Sequence, residues 1–208
     1  MLIEQPPKIY RMFFPGAVWR INKSEKSVYL TFDDGPIPEI TPWVLDLLDK
    51  YNIKATFFCV GDNVRKYPET YQQVLDRGHQ VGNHTFHHRQ GVRSLTNKYI
   101  LNVDLAARYI NSKLFRPPHG HMRFNQLLFL KKKYKIIMWD VVTRDYSWRL
   151  NADQVFENVK KYTRNGSIIV FHDSIKAEPR MKEALPKSIE WLIEQGYTFK
   201  LITEQTLL

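Results

Sequence analysis

Cysteine is almost missing from this chain. Cys59 stands alone among 208 residues, which excludes an internal disulfide framework and any zinc site built from several thiolates. It lies in Thr56-Phe57-Phe58-Cys59-Val60 and reads as a small buried hydrophobe. Also missing is any apolar run near the ~18 residues of a membrane-spanning helix. Low-complexity tracts are absent, and with 43% hydrophobic and 25% charged residues the balance is that of one globular domain with a sizeable core. The first twenty residues hold Glu4, three prolines and no apolar stretch of signal-peptide length. The literal expectation is a cytoplasmic protein, with action at a cell envelope as the alternative.

Positive charge, by contrast, is plentiful, with a formal net charge of +10. No acid occurs between Leu105 and Trp139, a stretch that includes Lys131-Lys132-Lys133. A basic patch attracts nucleic acid, anionic lipid or acidic glycan. The simpler reading, adopted here, places these lysines at a helix end, where cations suit the dipole. No nucleic-acid partner is expected.

Strand-like and helix-like segments alternate along the chain. Strands are predicted at 27–32, 54–60, 80–83, 114–116, 135–139, 167–171 and 197–202. Helices are predicted between them: one capped by Thr41 with Pro42 behind it, one restarted at Pro68 and stopped by Gly78, then 96–112, 124–133, one capped by Asn151, and about 184–195. Regular β-α alternation implies a parallel sheet, and seven units suggest a closed or nearly closed barrel. A full eight-fold barrel typically needs ~250 residues, so a shortened α/β barrel fits this length better. Residues 1–26 are expected to form an N-terminal extension over the barrel bottom or one side, with residues 27–208 as the single domain.

The unusual polar residues fall just after the predicted strands. They are Asp33-Asp34-Gly35-Pro36, His84 to His88, Arg116-Pro117-Pro118-His119-Gly120, Asp140 with Asp145, and His172-Asp173. In a barrel these strand ends converge on one face, which holds the active site. Neighbouring carboxylates at a strand end point to different sides, so one can bind a metal while the other acts as a base. His84 and His88 are four apart; on a helical turn they would share one face and grip one divalent ion. Adding Asp34 gives a two-His, one-carboxylate site with positions open for water and substrate. His172 shares the same mouth and is a candidate general acid.

In order, Thr31-Phe32-Asp33-Asp34-Gly35-Pro36, His84-Thr85-x-x-His88, Arg116-Pro117-Pro118-x-Gly120, the Trp139–Asp145 segment and Phe171-His172-Asp173 resemble the five motifs of the polysaccharide deacetylases, the NodB-homology group of carbohydrate esterase family 4. The resemblance spans roughly residues 27–203. It implies a distorted (β/α)7 barrel related to the TIM barrel. It also implies removal of N-acetyl groups from an N-acetylhexosamine polysaccharide, either peptidoglycan or a chitin-like oligomer. Asp34, His84 and His88 would hold one divalent metal, usually Zn2+, with Co2+, Ni2+ or Mn2+ as other occupants. Asp33 would be the general base, paired with Arg116. His172 would be the general acid, oriented by Asp145. His119, Tyr146, Trp148 and Val170 would contact substrate. Two positions depart from the family pattern. Relatives commonly carry an aromatic at the position of His119. The usual acid of the fourth motif aligns with Val142, which leaves Asp140 and Asp145 as the nearby carboxylates. Tyr146 and Trp148 either stack on a sugar face or simply pack.

Two other functions remain open at this stage. One is a hydrolase on the same scaffold that cleaves an O-acetyl ester or a small cyclic amide. The other is a non-catalytic basic protein that binds glycan or nucleic acid, whose binding would weaken steeply with salt.

Overall fold

The computed structural model describes residues 4–203 and 205–207. At its centre lies β1 (Ser27–Asp33), buried along its whole length. It is flanked on one edge by β7 (Ser167–His172), in parallel register from Val28↔Ser167 to Asp33↔His172. On the other edge, β2 (Thr56–Cys59) pairs with its upper half and β8 (Thr198–Phe199) with its lower half. The sheet continues through β3 (Gln80–Asn83) and β4 (Leu114–Phe115) to β5 (Lys135–Ile136), and on the opposite side ends at β6 (Val141–Val142). All these pairings are parallel. A strand buried on both faces needs β-branched and aromatic residues throughout, and Ser27-Val28-Tyr29-Leu30-Thr31-Phe32 supplies them.

Ring closure differs in detail from the sequence expectation. Of the predicted fifth strand, 135–139, only β5 pairs as a strand, and a further short strand, β6, lies beyond its predicted end. β5 pairs with β4 on one edge of the sheet and β6 pairs with β7 on the other. Only Ile137 to Asp140 separate them, so one extended segment joins the two edges and curls the sheet into a distorted barrel. Where that segment lacks strand partners, the N-terminal stretch supplies them. Val18 forms a parallel bridge to Ile137, its N–H donating to Ile136 O and its carbonyl accepting from Met138 N.

Helices α2 (Thr41–Lys50), α3 (Gly61–Lys66), α4 (Pro68–Asp76), α5 (Thr96–Ala106), α6 (Phe124–Leu130), α7 (Ala152–Tyr162) and α8 (Glu178–Glu194) are interleaved with the strands, and a short α1 (Lys8–Met12) precedes them. Several elements are displaced from their predicted limits, α6 among them, which ends at Leu130 rather than residue 133. α5 stops at Ala106 rather than residue 112, and α8 starts at Glu178, earlier than residue 184, despite Pro186 inside it. Thr41 begins its helix rather than capping it. Its hydroxyl accepts from Ile37 N and donates to Asp173 Oδ2 (2.6 Å). Alternate residues of β1 divide the core. Val28, Leu30 and Phe32 join the cluster with α2, α7 and α8, while Tyr29 joins the second cluster with Phe58, Phe115 and Val170. Thr31 and Asp33 share the face of Tyr29 by strand periodicity, which brings the first carboxylate of the Asp33-Asp34 pair into reach of the ring interior.

One glycine is required outright. Gly166 has φ +75°, and a Cβ there would lie 1.8 Å from Ile21 O. Gly166→Ala is expected to lose about 1–2 kcal/mol from the left-handed backbone and a further ~1–3 kcal/mol from overpacking. A urea titration that left the midpoint unchanged would contradict this.

Candidate active site

At the C-terminal ends of β1 and β3, Asp34, His84 and His88 converge, and one ligand atom from each lies within 4.8 Å of the others. Asp34 Oδ1 is 3.1 Å from His88 Nε2 and 3.8 Å from His84 Nε2. Two donors bound to one ion at ~2.0–2.2 Å with tetrahedral angles stand about 3.4 Å apart, between the two observed values. His84 Nδ1 lies 2.8 Å from Arg116 O. A carbonyl only accepts, so Nδ1 carries the proton and Nε2 presents a lone pair to the site. Burial lowers the pKa of His84 to about 4, which keeps the ring neutral, as a ligand must be. Asp34 Oδ1 is buried and makes no hydrogen bond. Burial would raise the Asp34 pKa, but the nearby imidazoles of His88, His172 and His84 outweigh it and hold the carboxyl well below its usual range. A buried, ionised oxygen without a hydrogen bond, facing a neutral imidazole lone pair, fits a divalent cation.

The two histidines are not on a helix. The segment after β3 is a loop in which Thr85 and His88 adopt positive φ (64° and 49°). The predicted i, i+4 helical spacing is therefore replaced by loop geometry that brings the rings to 5.1 Å between centroids. Asn83 Oδ1 accepts from Thr85 N, and Asn102 Oδ1 accepts from the N–H groups of Phe86 and His87. These buried amides set the loop.

Asp33 does not point at the same place as Asp34. Its Oδ1 accepts from Arg116 Nη1 (2.6 Å), and its Oδ2 is 4.0 Å from His84 Nε2. Arg116 is fully buried. Its other donors reach Thr31 Oγ1, Ile137 O and Met138 O, and the guanidinium lies 4.0 Å over the Phe58 ring. Every arm of Arg116 thus holds Asp33 or the ring-closing segment. Arg116→Met would leave a buried carboxylate unpaired, which commonly costs about 3–5 kcal/mol. Chemical denaturation is expected to show a loss of that size.

Across the mouth, His172 Nδ1 lies 2.8 Å from Asp145 Oδ1, and His172 N donates to Asp145 Oδ2 (2.7 Å). Burial alone would lower the His172 pKa. The charge and hydrogen bond of Asp145, then the charges of Asp34 and Asp33, reverse this and raise it to about 9. Asp140, the other carboxylate near the fourth motif, lies elsewhere. It is fully buried and accepts from Arg11 Nη2, Arg164 Nε and Nη2, and Ser167 Oγ. Asp145 thus touches His172, whereas Asp140 pins the N-terminal stretch to β7.

A cleft of about 690 Å³ opens over these groups. Its lining includes Asp33, Asp34, His84, His88, His119, Tyr146, Val170 and His172. His119 packs 4.7 Å from the His88 ring, and Tyr146 stands edge-on to His172 at 4.8 Å. Trp148 is not brought there. It is 76% exposed, beside Arg149, and does not line the cleft. Val142 does line it and places an apolar side chain there. Sequence reasoning assigned nothing to Asp173, although it follows His172 directly. Asp173 accepts from Gly35 N (3.0 Å) and Thr41 Oγ1 and so braces the turn after Asp34. Burial, with the neighbouring Asp34 charge, pushes its carboxyl up to about 7. The signal lay in Gly35, where a Cβ would meet Asp173 Oδ2 at 1.9 Å.

The model of the family described as Polysaccharide deacetylase matches residues 20–135. The chain belongs to the polysaccharide deacetylase family. It is 33% identical over 197 residues to a peptidoglycan-N-acetylglucosamine deacetylase of Bacillus cereus, covering 90% of this chain and 92% of that one. It is 31% identical over 207 residues to the peptidoglycan-N-acetylmuramic acid deacetylase PdaC of Bacillus subtilis, covering 97% of this chain. The chain spans 43% of PdaC, and 39% of PgdA from Listeria monocytogenes. Among solved structures, a peptidoglycan N-acetylglucosamine deacetylase in complex with 4-naphthalen-1-yl-N-oxidanyl-benzamide superposes with a TM-score of 0.83 at 30% identity, covering 95% of both chains. The wild-type BA3943 protein of Bacillus anthracis, a CE4 family pseudoenzyme, matches with a TM-score of 0.79 at 27% identity, covering 93% of this chain and 69% of that one. The fold is therefore shared by members with and without activity, so the chemistry has to be argued from this chain's own side chains.

Proposed function

We propose that this family member hydrolyses the N-acetyl amide of an N-acetylhexosamine in peptidoglycan, with one divalent metal, Zn2+ by donor type, held by Asp34, His84 and His88. The convergence of these three ligand atoms in an open cleft, beside a carboxylate fixed by Arg116, carries the reading. A cation bound there supplies Lewis acidity, polarising the amide carbonyl and easing loss of a proton from water. Asp33 takes that proton as the water oxygen attacks the acetyl carbon. Arg116 holds Asp33 through Oδ1 and aims it. His172, protonated because Asp145 lies against Nδ1, delivers a proton from Nε2 to the leaving nitrogen as the C–N bond breaks. Acetate and a free amine result. His119, Tyr146 and Val170 border the reacting groups and shape the space for sugar and acetyl. The similarity to relatives named as peptidoglycan deacetylases supports that polymer as substrate.

Acetate release from peptidoglycan and from N-acetylglucosamine oligomers tests this, with O-acetylated glycan as the ester control. The expected outcome is acetate from the amide substrates, loss after chelation, and recovery on adding Zn2+. Acetate from the ester alone would replace the amide reading, and activity that survived exhaustive chelation would remove the metal from it.

A further inference from the structure

We propose that the outer face of α5 and α6 docks on an anionic lipid surface. Between Arg89 and Trp139 the only acid is Asp104, and it is already paired with Lys133 (3.1 Å). Around it stand the exposed bases Arg93, Lys98, Arg123, Lys131 and Lys132. A cation or two at the end of α6 is what a helix dipole favours. The dipole gives no reason for the apolar side chains on the same face.

Those side chains are large and outward. Leu101 is 67% exposed, Leu95 and Phe124 are each 59%, and Val92, Phe129 and Leu128 are also exposed. They form one surface with the bases. Arg123 donates through Nε and Nη2 to Val92 O, and Gln126 Nε2 reaches Gly91 O and Ser94 O, locking the start of α6 against the loop that leads into α5. Farther along, Lys133 spans from Asp104 on α5 to a position 5.2 Å over the Phe129 ring on α6. Helical spacing sets Lys98, Leu101 and Asp104 in one row, and Phe124 beside Leu128 in another.

The mixture decides the partner. A polyanionic glycan or a nucleic acid is held by cations and by aromatic stacking; leucine and valine add nothing to either. An anionic bilayer uses both kinds of group, with apolar side chains entering the headgroup boundary while Lys and Arg meet the phosphates. Among the described residues no helix is long and apolar enough to cross a membrane, so the contact is peripheral. α5 and α6 follow the strand ends that carry His84 and Arg116, so docking on this face would set the cleft beside the lipid surface. The inference does not depend on the catalytic reading.

Sedimentation of the full chain with phosphatidylcholine vesicles, with and without phosphatidylglycerol, tests it. Binding is expected to be at least about tenfold stronger with phosphatidylglycerol and to weaken with salt. Two surface variants should each lose about tenfold: Leu101→Ser/Phe124→Ser/Phe129→Ser, and Lys131→Glu/Lys132→Glu. Circular dichroism and turnover on soluble oligomers should match the parent for both. Equal binding to neutral and anionic vesicles, or none to either, would overturn the proposal. So would a serine variant that binds like the parent while soluble polyphosphate competes the protein away, since that result identifies a polyanion site.

Discussion

Asp33→Asn is expected to abolish nearly all acetate release while leaving metal binding intact. The amide matches the carboxylate in shape and can still accept from Arg116, so the fold should persist. It cannot take a proton from water. Removing a positioned general base typically costs about 10²–10⁴-fold in rate. The ligand atoms of Asp34, His84 and His88 do not involve Asp33, so metal content should stay near one ion per chain. Initial rates together with elemental analysis separate the two effects. A variant that kept the parent's acetate release would show that Asp33 is not the base, whereas a parent that released no acetate would favour a non-catalytic glycan-binding role for the cleft.

The second large effect concerns pH. His172 is raised to about 9 because Asp145 overcomes the cost of burying the charged ring. Asp145→Asn removes that charge, and burial then acts to push the pKa below the free value of ~6.5. At pH 8 the protonated fraction would fall by about 30-fold, from roughly nine-tenths to a few hundredths. The alkaline limb of the turnover–pH profile should move to lower pH, while KM changes little. Stability follows the same sign. The pair favours the folded state fully below ~6.5, and that contribution disappears as pH rises through about 9. An alkaline limb that stayed in place would mean that another group delivers the proton.

Much of this site could be read along the chain because β-α alternation puts chemistry at strand ends. Asp33-Asp34, His84, Arg116 and His172 each follow a predicted strand, and the barrel rule alone gathers them on one face. What could not be read was direction. Whether Asp140 or Asp145 faces His172 depends on how the chain turns after β6, and Arg144 at φ 63° takes part in that turn. The loop route of His84 and His88 was hidden for the same reason: their spacing of four matches a helix, while the buried amides of Asn83 and Asn102 build something else. The early end of β5 and the appearance of β6 are tertiary in origin. Nothing local in Lys135–Val142 says that its two halves pair with strands on opposite sides of the ring. Trp148 had the residue type for a sugar platform, but its position in the loop carries it outward.

The N-terminal stretch also determines where this domain can be cut. Val18 pairs with the bare edge at Ile137, Arg11 reaches buried Asp140, Tyr10 donates to Gly120 O, and the Glu4 carbonyl accepts from Val142 N. These contacts act like a clasp across the seam where the ring meets itself, and Arg116 hangs from that seam through Ile137 O and Met138 O. A shortened fragment starting at the first barrel strand would keep every reactive side chain. It would nevertheless loosen the frame that aims Asp33, so such a fragment should bind metal well and turn over poorly.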